Sequence, residues 1–278
     1  RERHEKLWRL ARAEVEGLAA ADAASTGDVV VLTDEDGWIL DAEGSARFLD
    51  KAGRVALMPG ACWGETQVGT NAIGTAIVEG KSVEVIGGEH YFAPHGILSC
   101  SAAPIHDPYG RLVGVLDISG DANVPHVHAL GLARLAVAHI EHRYFDEGIP
   151  DSHLVRLHHD PTLLGTAREG LLAFRNGKLV AANRSGLQLF GLDRRELGGV
   201  NYHALFEQAL SQLRDDGAIV DRSGRMLHGR VHEYGDETRP KRVSSRPTIT
   251  VSPAARTDQP DGSLFDAALD TELGHARR

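Results

Sequence analysis

The sequence is poor in the residues on which most dedicated chemistry depends. Two cysteines, Cys62 and Cys100, among 278 residues are too few for a disulfide framework. Aromatic residues make up 5% of the chain, so its cores must rely on Ala, Val, Leu and Ile within a 42% apolar composition. No apolar run approaches the roughly 18 residues of a membrane span. Arg1–Lys6 is charged and no apolar h-region follows, so no secretory signal is expected. Positive charge is in deficit: 30 Lys and Arg stand against 39 Asp and Glu, a net charge of −9. That balance argues against a chain built to wrap nucleic acid. The basic run Arg239–Arg242 with Arg246 reads as solvated surface. The expectation is a soluble cytoplasmic protein of two compact domains.

Catalytic grammar is missing too. The chain holds no phosphate loop, no His-Glu-x-x-His, no Cys-x-x-Cys and no Gly-x-Ser-x-Gly. The 15 histidines match no metal-ligand spacing, including His90, His95 and the pair His126 and His128. No cofactor, metal or enzymatic activity is expected. Cys100 lies mid-strand between Ser99 and Ser101, where a thiol behaves as a small hydrophobe.

What is present is a strand-and-hairpin pattern with helices at the ends, the signature of the α+β class. Residues 4–21 repeat apolar residues at helical spacing. Strands are predicted at Asp28–Thr33, Trp38–Asp41, Ser82–Ile86, Ile97–Ile105 and Leu112–Ser119, with a helix over Thr70–Glu79. Asp107-Pro-Tyr-Gly110 suits a type I turn. A long helix is predicted over His126–Phe145. Its seam of Leu130, Ala133, Val137, Ile140 and Tyr144 suits either a helix on its own sheet or a dimer contact.

After the break at Gly148–Asp151, Asn176-Gly177 signals a hairpin between Glu169–Phe174 and Lys178–Ala182. Asn183 is placed to cap a helix over Arg184–Leu192. A further helix is predicted over Tyr202–Leu213, with strands at Met226–Glu233 and Val243–Val251. The division is an N-terminal helix (1–25), a first domain (26–146), a linker (147–160), a second domain (161–251) and a closing linker (252–278).

A ligand pocket needs an apolar wall with a few placed polar groups. Trp63, Tyr91 and Phe92 supply scarce aromatic surface. Thr70, Asn71, Thr75, His90, Ser99, Cys100, Ser101 and Asp117 supply small or polar contacts. Such a set suits a small, neutral hydroxy or keto compound.

Five ordered motifs carry a resemblance. They are Gly60-Ala-Cys-Trp-Gly-Glu65, Val68-Gly-Thr-Asn-Ala-Ile-Gly-Thr75, Glu89-His-Tyr-Phe92, Leu98-Ser-Cys-Ser-Ala-Ala-Pro-Ile105 and Gly114-Val-Leu-Asp-Ile-Ser-Gly-Asp121. They resemble the GAF domain of the sigma-54-dependent activators of acetoin and glycerol (dihydroxyacetone) catabolism. Leu164–Phe174 and Leu179–Ser185 resemble the PAS domain that follows it. The resemblance implies a homodimeric sensory region. The family's ATPase and helix-turn-helix domains do not fit in 278 residues, so no direct contact with nucleic acid is implied. It also implies that this input half restrains or licenses assembly of the ATPase. The glycine-rich stretch joined to an apolar hairpin suggests how: Gly60–Phe92 closes over a ligand and shifts the helix His126–Phe145. Two alternatives stay open. Dihydroxyacetone-type regulators respond to kinase subunits, so a protein may take the ligand's place. Some GAF-fold proteins reduce methionine sulfoxide with cysteines, which would require Cys62 or Cys100.

Overall fold

The computed structural model describes residues 2–23 and 27–234. The expected strand Val243–Val251, the closing linker and the basic run at 239–246 lie outside the described residues. The α+β class holds, as two antiparallel sheets with flanking helices within one compact unit.

Helix α1 (Glu2–Ala23) opens the chain and buries Leu7, Ala11, Val15 and Ala19, one residue every four. Strands β1 (Val29–Asp34) and β2 (Ile39–Gly44) form the expected hairpin. Helix α2 (Ala46–Gly53) follows, capped by the Ser45 hydroxyl. Helices α3 (Glu65–Val68) and α4 (Ala72–Glu79) lead to β3 (Val83–Ile86). Strands β4 (Leu98–His106) and β5 (Leu112–Asp121) are joined by the Asp107–Gly110 turn, closed by Gly110 N–H donating to the Asp107 carbonyl at 3.0 Å. The first sheet has the order β2-β1-β5-β4-β3.

Helix α5 (Ala129–Arg143) lies on this sheet beside α1, burying Ala133, Val137, Ile140 and Tyr144. Its seam is therefore used within the chain. One face of the sheet meets α1 and α5 through Leu32, Ala103, Ile105, Leu116 and Ile118. The other meets α2, Trp63 and α4 through Val31, Val115, Leu98, Cys100 and Ala102.

The second sheet has the order β8-β7-β6-β10-β9. Its middle strand β6 (Ser152–His158) occupies residues expected to be linker. Leu154 and Val155 of β6 are buried on opposite faces, so this short His-flanked segment is core on both sides. Strands β7 (Gly170–Arg175) and β8 (Lys178–Ala182) turn through Asn176 and Gly177, both at positive φ, as a two-residue hairpin requires. The Asn183 side chain accepts from Gly186 N–H at the start of α6 (Arg184–Phe190).

The single helix expected over Tyr202–Leu213 is two, α7 (Tyr202–Leu205) and α8 (Leu210–Asp216). Phe206 leaves the helix because its ring is fully buried and its backbone bridges to Asp221. Strands β9 (Ala218–Val220) and β10 (Met226–Tyr234) complete the sheet. Among the described residues no helix is long and apolar enough to cross a membrane.

Gly114 of β5 is a tight point. A Cβ there would lie 2.2 Å from the Thr33 carbonyl oxygen and 2.7 Å from Leu7. Gly114→Ala is expected to cost about 1–3 kcal/mol and lower the urea midpoint. Gly131→Ala meets nothing within 4 Å on α5 and is expected to gain roughly 0.5–1 kcal/mol. Equal midpoints for the two variants would contradict this packing.

Candidate functional site

The segment before α3 is stitched to the β1–β2 hairpin. Gly60 N–H donates to the Ile39 carbonyl at 2.9 Å, Ile39 N–H to Ala61, and Trp63 N–H to Gly37. This aims Trp63 inward, where it is fully buried and its indole N–H donates to the Ala56 carbonyl at 2.9 Å. Asn71 then locks the next turn. Its amide donates to the Trp63 and Gly69 carbonyls, and its oxygen accepts from Gly74 N–H. Gly74 must lack a side chain, since a Cβ would sit 2.6 Å from Glu65 N. Thr75 donates to Glu65 at 2.5 Å. Asn71 and Thr75, expected as ligand contacts, are thus committed to holding the segment.

The His95 ring stacks on Trp63 at 4.5 Å between centroids, and sequence reading left His95 out of the site. His90 meets His95 edge-on at 6.3 Å. Phe92 also packs edge-on against His95, and Tyr91 against Phe92. Tyr91 is 72% exposed and Phe92 43%, so an aromatic chain runs from surface to core. Thr70 is exposed, and its carbonyl accepts from Tyr91 N–H.

On the sheet beneath, Cys100 and Asp117 are buried with Ser119. Ser119 Oγ lies 3.0 Å from Cys100 Sγ and donates to Asp117 Oδ2. Ser99 and Ser101 alternate with Cys100 along β4, so they face the other side of the sheet. Ser101 donates to Glu84 at 3.2 Å. The eleven expected site residues are therefore split by the strand period.

Three buried polar atoms of this region have no hydrogen-bond partner among the described residues: His90 Nε2, His95 Nδ1 and Asp117 Oδ1. Such atoms are rare and point to an absent water or ligand. Burial holds both imidazoles below the ordinary histidine range. Burial pushes the Asp117 carboxyl up to about 7, only partly offset by the Ser119 hydroxyl. His90 Nδ1 lies 3.0 Å from the Gly87 carbonyl. A neutral ring that donates there leaves Nε2 as a bare acceptor. A protonated Asp117 is a donor. Burial thus disfavours charge on both imidazoles and, below about pH 7, on Asp117, so both hydrogen-bond senses are available at these buried atoms.

The cysteines are poorly placed for nucleophilic work. Burial, then the adjacent Asp117, pushes the Cys100 thiol well above its ordinary range. Cys62 Sγ donates to the Asp36 carbonyl at 3.7 Å. Among the described residues no group of His, Cys, Asp and Glu is placed to hold a metal ion. His126 is occupied by Asp28 Oδ2 at 2.9 Å and the Asp121 carbonyl at 3.0 Å.

Residues 7–142 match the family model described as "MimR, N-terminal domain". Over 241 residues the chain is 33% identical to the acetoin catabolism regulatory protein of Cupriavidus necator, covering 84% of this chain and 35% of that protein. Over 115 residues it is 46% identical to the acetoin dehydrogenase operon transcriptional activator AcoR of Bacillus subtilis, covering 41% of this chain and 19% of that protein. The chain thus spans about a third or less of these curated relatives. The solved complex of E. coli DhaR(N) with DhaL shares the fold, with a TM-score of 0.51 at 16% identity, covering 83% of this chain and 87% of that one.

The MimR-type region connects to the second sheet through the end of α5. Glu141 is 3% exposed, accepts from His106 N–H at 2.9 Å and lies 3.5 Å from Arg194 and 3.9 Å from Arg184. The next residue, His142, reaches the fully buried Glu169 at 2.8 Å, which also takes Arg156 at 2.5 Å. Burial alone would raise the Glu169 carboxyl. His142, the Gly165 N–H and Arg156 together hold it below its ordinary range. The Ala182 N–H donates to the Pro108 carbonyl at 3.0 Å, a second tie between the MimR-type region and β8.

Asp117 has a measurable consequence. Its pKa moves from 3.8 to about 7 on folding, so the folded chain holds a proton that the unfolded chain releases. Its contribution to stability is full below about pH 4 and is lost as the pH rises through about 7, at up to about 1.4 kcal/mol per pH unit. Asp117→Asn is expected to remove this slope in thermal melts across that window. Parallel melting profiles for the two proteins would refute a buried, protonated Asp117.

Proposed function

We propose that this chain is the signal-input region of an acetoin-type transcriptional activator. Its first sheet with α1–α5 is a GAF domain, and the second sheet with its helices, from Ser152 to Tyr234, is a PAS-like domain. The GAF domain takes a small neutral hydroxy or keto compound on the Trp63 face of the sheet. Trp63, His90, His95, Cys100 and Asp117 line that seat, and Tyr91 and Phe92 form its outer lip. The observation that carries this reading is the set of three buried atoms without a partner among the described residues, borne by side chains that adjoin the Trp63 and Cys100 cluster. The bare His90 nitrogen suits a ligand hydroxyl, and the protonated Asp117 suits a carbonyl.

Occupancy by a ligand moves an equilibrium only through unequal affinity for two states. The ligand meets Gly60–Phe92 and β5 together, and β5 carries α5 on its other face. A shift of α5 acts directly on Glu141 and His142, and through them on the PAS-like domain. The exposed Leu132 and Leu135 of α5 suit a homodimer contact. Regulation of this kind belongs in the cytoplasm, with the ATPase and DNA-binding functions on other parts of a full-length activator.

Calorimetric titration with acetoin, diacetyl, glycerol and dihydroxyacetone tests the reading. One of them is expected to bind one-to-one, about tenfold or more weakly to His90→Ala or Asp117→Asn. Silence from all four, or unaltered affinity in both variants, would count against it. A second reading has its own observation, the exposed Tyr91 and Phe92 pair. These rings suit a protein partner, as DhaL is for E. coli DhaR(N). In that case Tyr91→Ser abolishes binding of a purified kinase subunit while small ligands give no heat.

A further inference from the structure

Away from the Trp63 face lies a second concave feature. A cleft of about 550 Å³ is lined by Lys81, Ser82 and Arg134 on one side and by Arg184, Gln188 and Arg194 on the other. Four of these six side chains are cations. Lys81 and Arg134 have no ion-pair partner among the described residues. Arg184 and Arg194 share a single carboxylate, Glu141, which is already engaged by the His106 N–H. Asp193, also in the lining, turns its Oδ1 to the Arg195 N–H. Positive charge therefore exceeds what these two acids neutralise.

Two polar atoms of the lining are buried without a partner, Ser82 Oγ and Arg184 Nε. Both are donors, and only an acceptor of suitable size satisfies them together with four cations. Burial, with Arg184 alongside, holds the Arg194 guanidinium below its ordinary range. Extra negative charge in the cleft relieves that cost. The volume falls within the range of metabolite sites.

We propose that this cleft binds a small organic anion of two or more negative charges, a phosphate ester or a polycarboxylate. The bound anion clamps the α4–β3 loop and α5 to α6. It thereby stiffens the junction that Glu141 and His142 cross. The site is distinct in place and in ligand chemistry from the uncharged Trp63 face, and neither proposal depends on the other.

Pyrophosphate and citrate are titrated into the chain at constant ionic strength, with chloride and glycerol as controls. Saturable one-to-one binding and a raised Tm are expected for at least one of the two. Pyrophosphate alone marks a phosphate ester, and citrate alone a polycarboxylate. The exposed Arg134 and Lys81 allow a double alanine variant that keeps the fold, with affinity expected to fall about tenfold or more. Arg134→Glu, which reverses one charge, is expected to fall further. Absence of binding by both anions, undiminished affinity in both variants, or an equal rise in Tm with chloride would overturn the proposal.

Discussion

Strand β5 is buried on both faces, and the rest of the first sheet depends on that. A strand in this position has no solvent side for polar groups, so every side chain must find a partner within the protein. Leu116 and Ile118 satisfy this trivially against α1 and α5. Asp117, on the face turned away from those helices, does so only in part, through Ser119 two residues on along the same face. Its carboxyl keeps a proton up to about pH 7 because burial disfavours the charged form. One strand thus carries the packing for the helix layer and the polar atom that a ligand can reward.

The same helix layer leads to the second sheet. Phe145 and Ile149, just beyond α5, pack against Leu154, Leu171, Ala173 and Ala181. Beside this apolar contact stand the buried carboxylates Glu141 and Glu169. A buried ion pair is a weak source of stability but is costly to break halfway. A small rotation of α5 therefore leaves either carboxylate with the wrong complement of donors.

The hairpins, the caps and the helical stripes were legible in the sequence because each is set by residues near one another. Asn176-Gly177 adopts the turn that its positive φ angles dictate, and Asn183 caps the helix that follows it. Legibility ended where a long-range contact overrode local pattern. Residues 152–158 carry no strong strand signal, yet they pair with both β7 and β10. Phe206 leaves a helical pattern because the core of the second sheet takes its ring.

For the candidate site, the motif stretch from Gly60 to Asp121 identified the region and the residue types. Which of those side chains face one another was decided by the pleat and by three chain segments meeting on one sheet. Alternation along β4 sends Cys100 to one side and Ser99 and Ser101 to the other. Stacking on Trp63 brings in His95, which no local signal marked. The cationic cleft was invisible for the same reason, since Lys81, Arg134 and Arg184 are far apart in sequence. The sequence by itself determined the α+β class and the family motifs. Tertiary structure alone decided which polar atoms are buried without a partner, because desolvation is a property of everything packed around an atom.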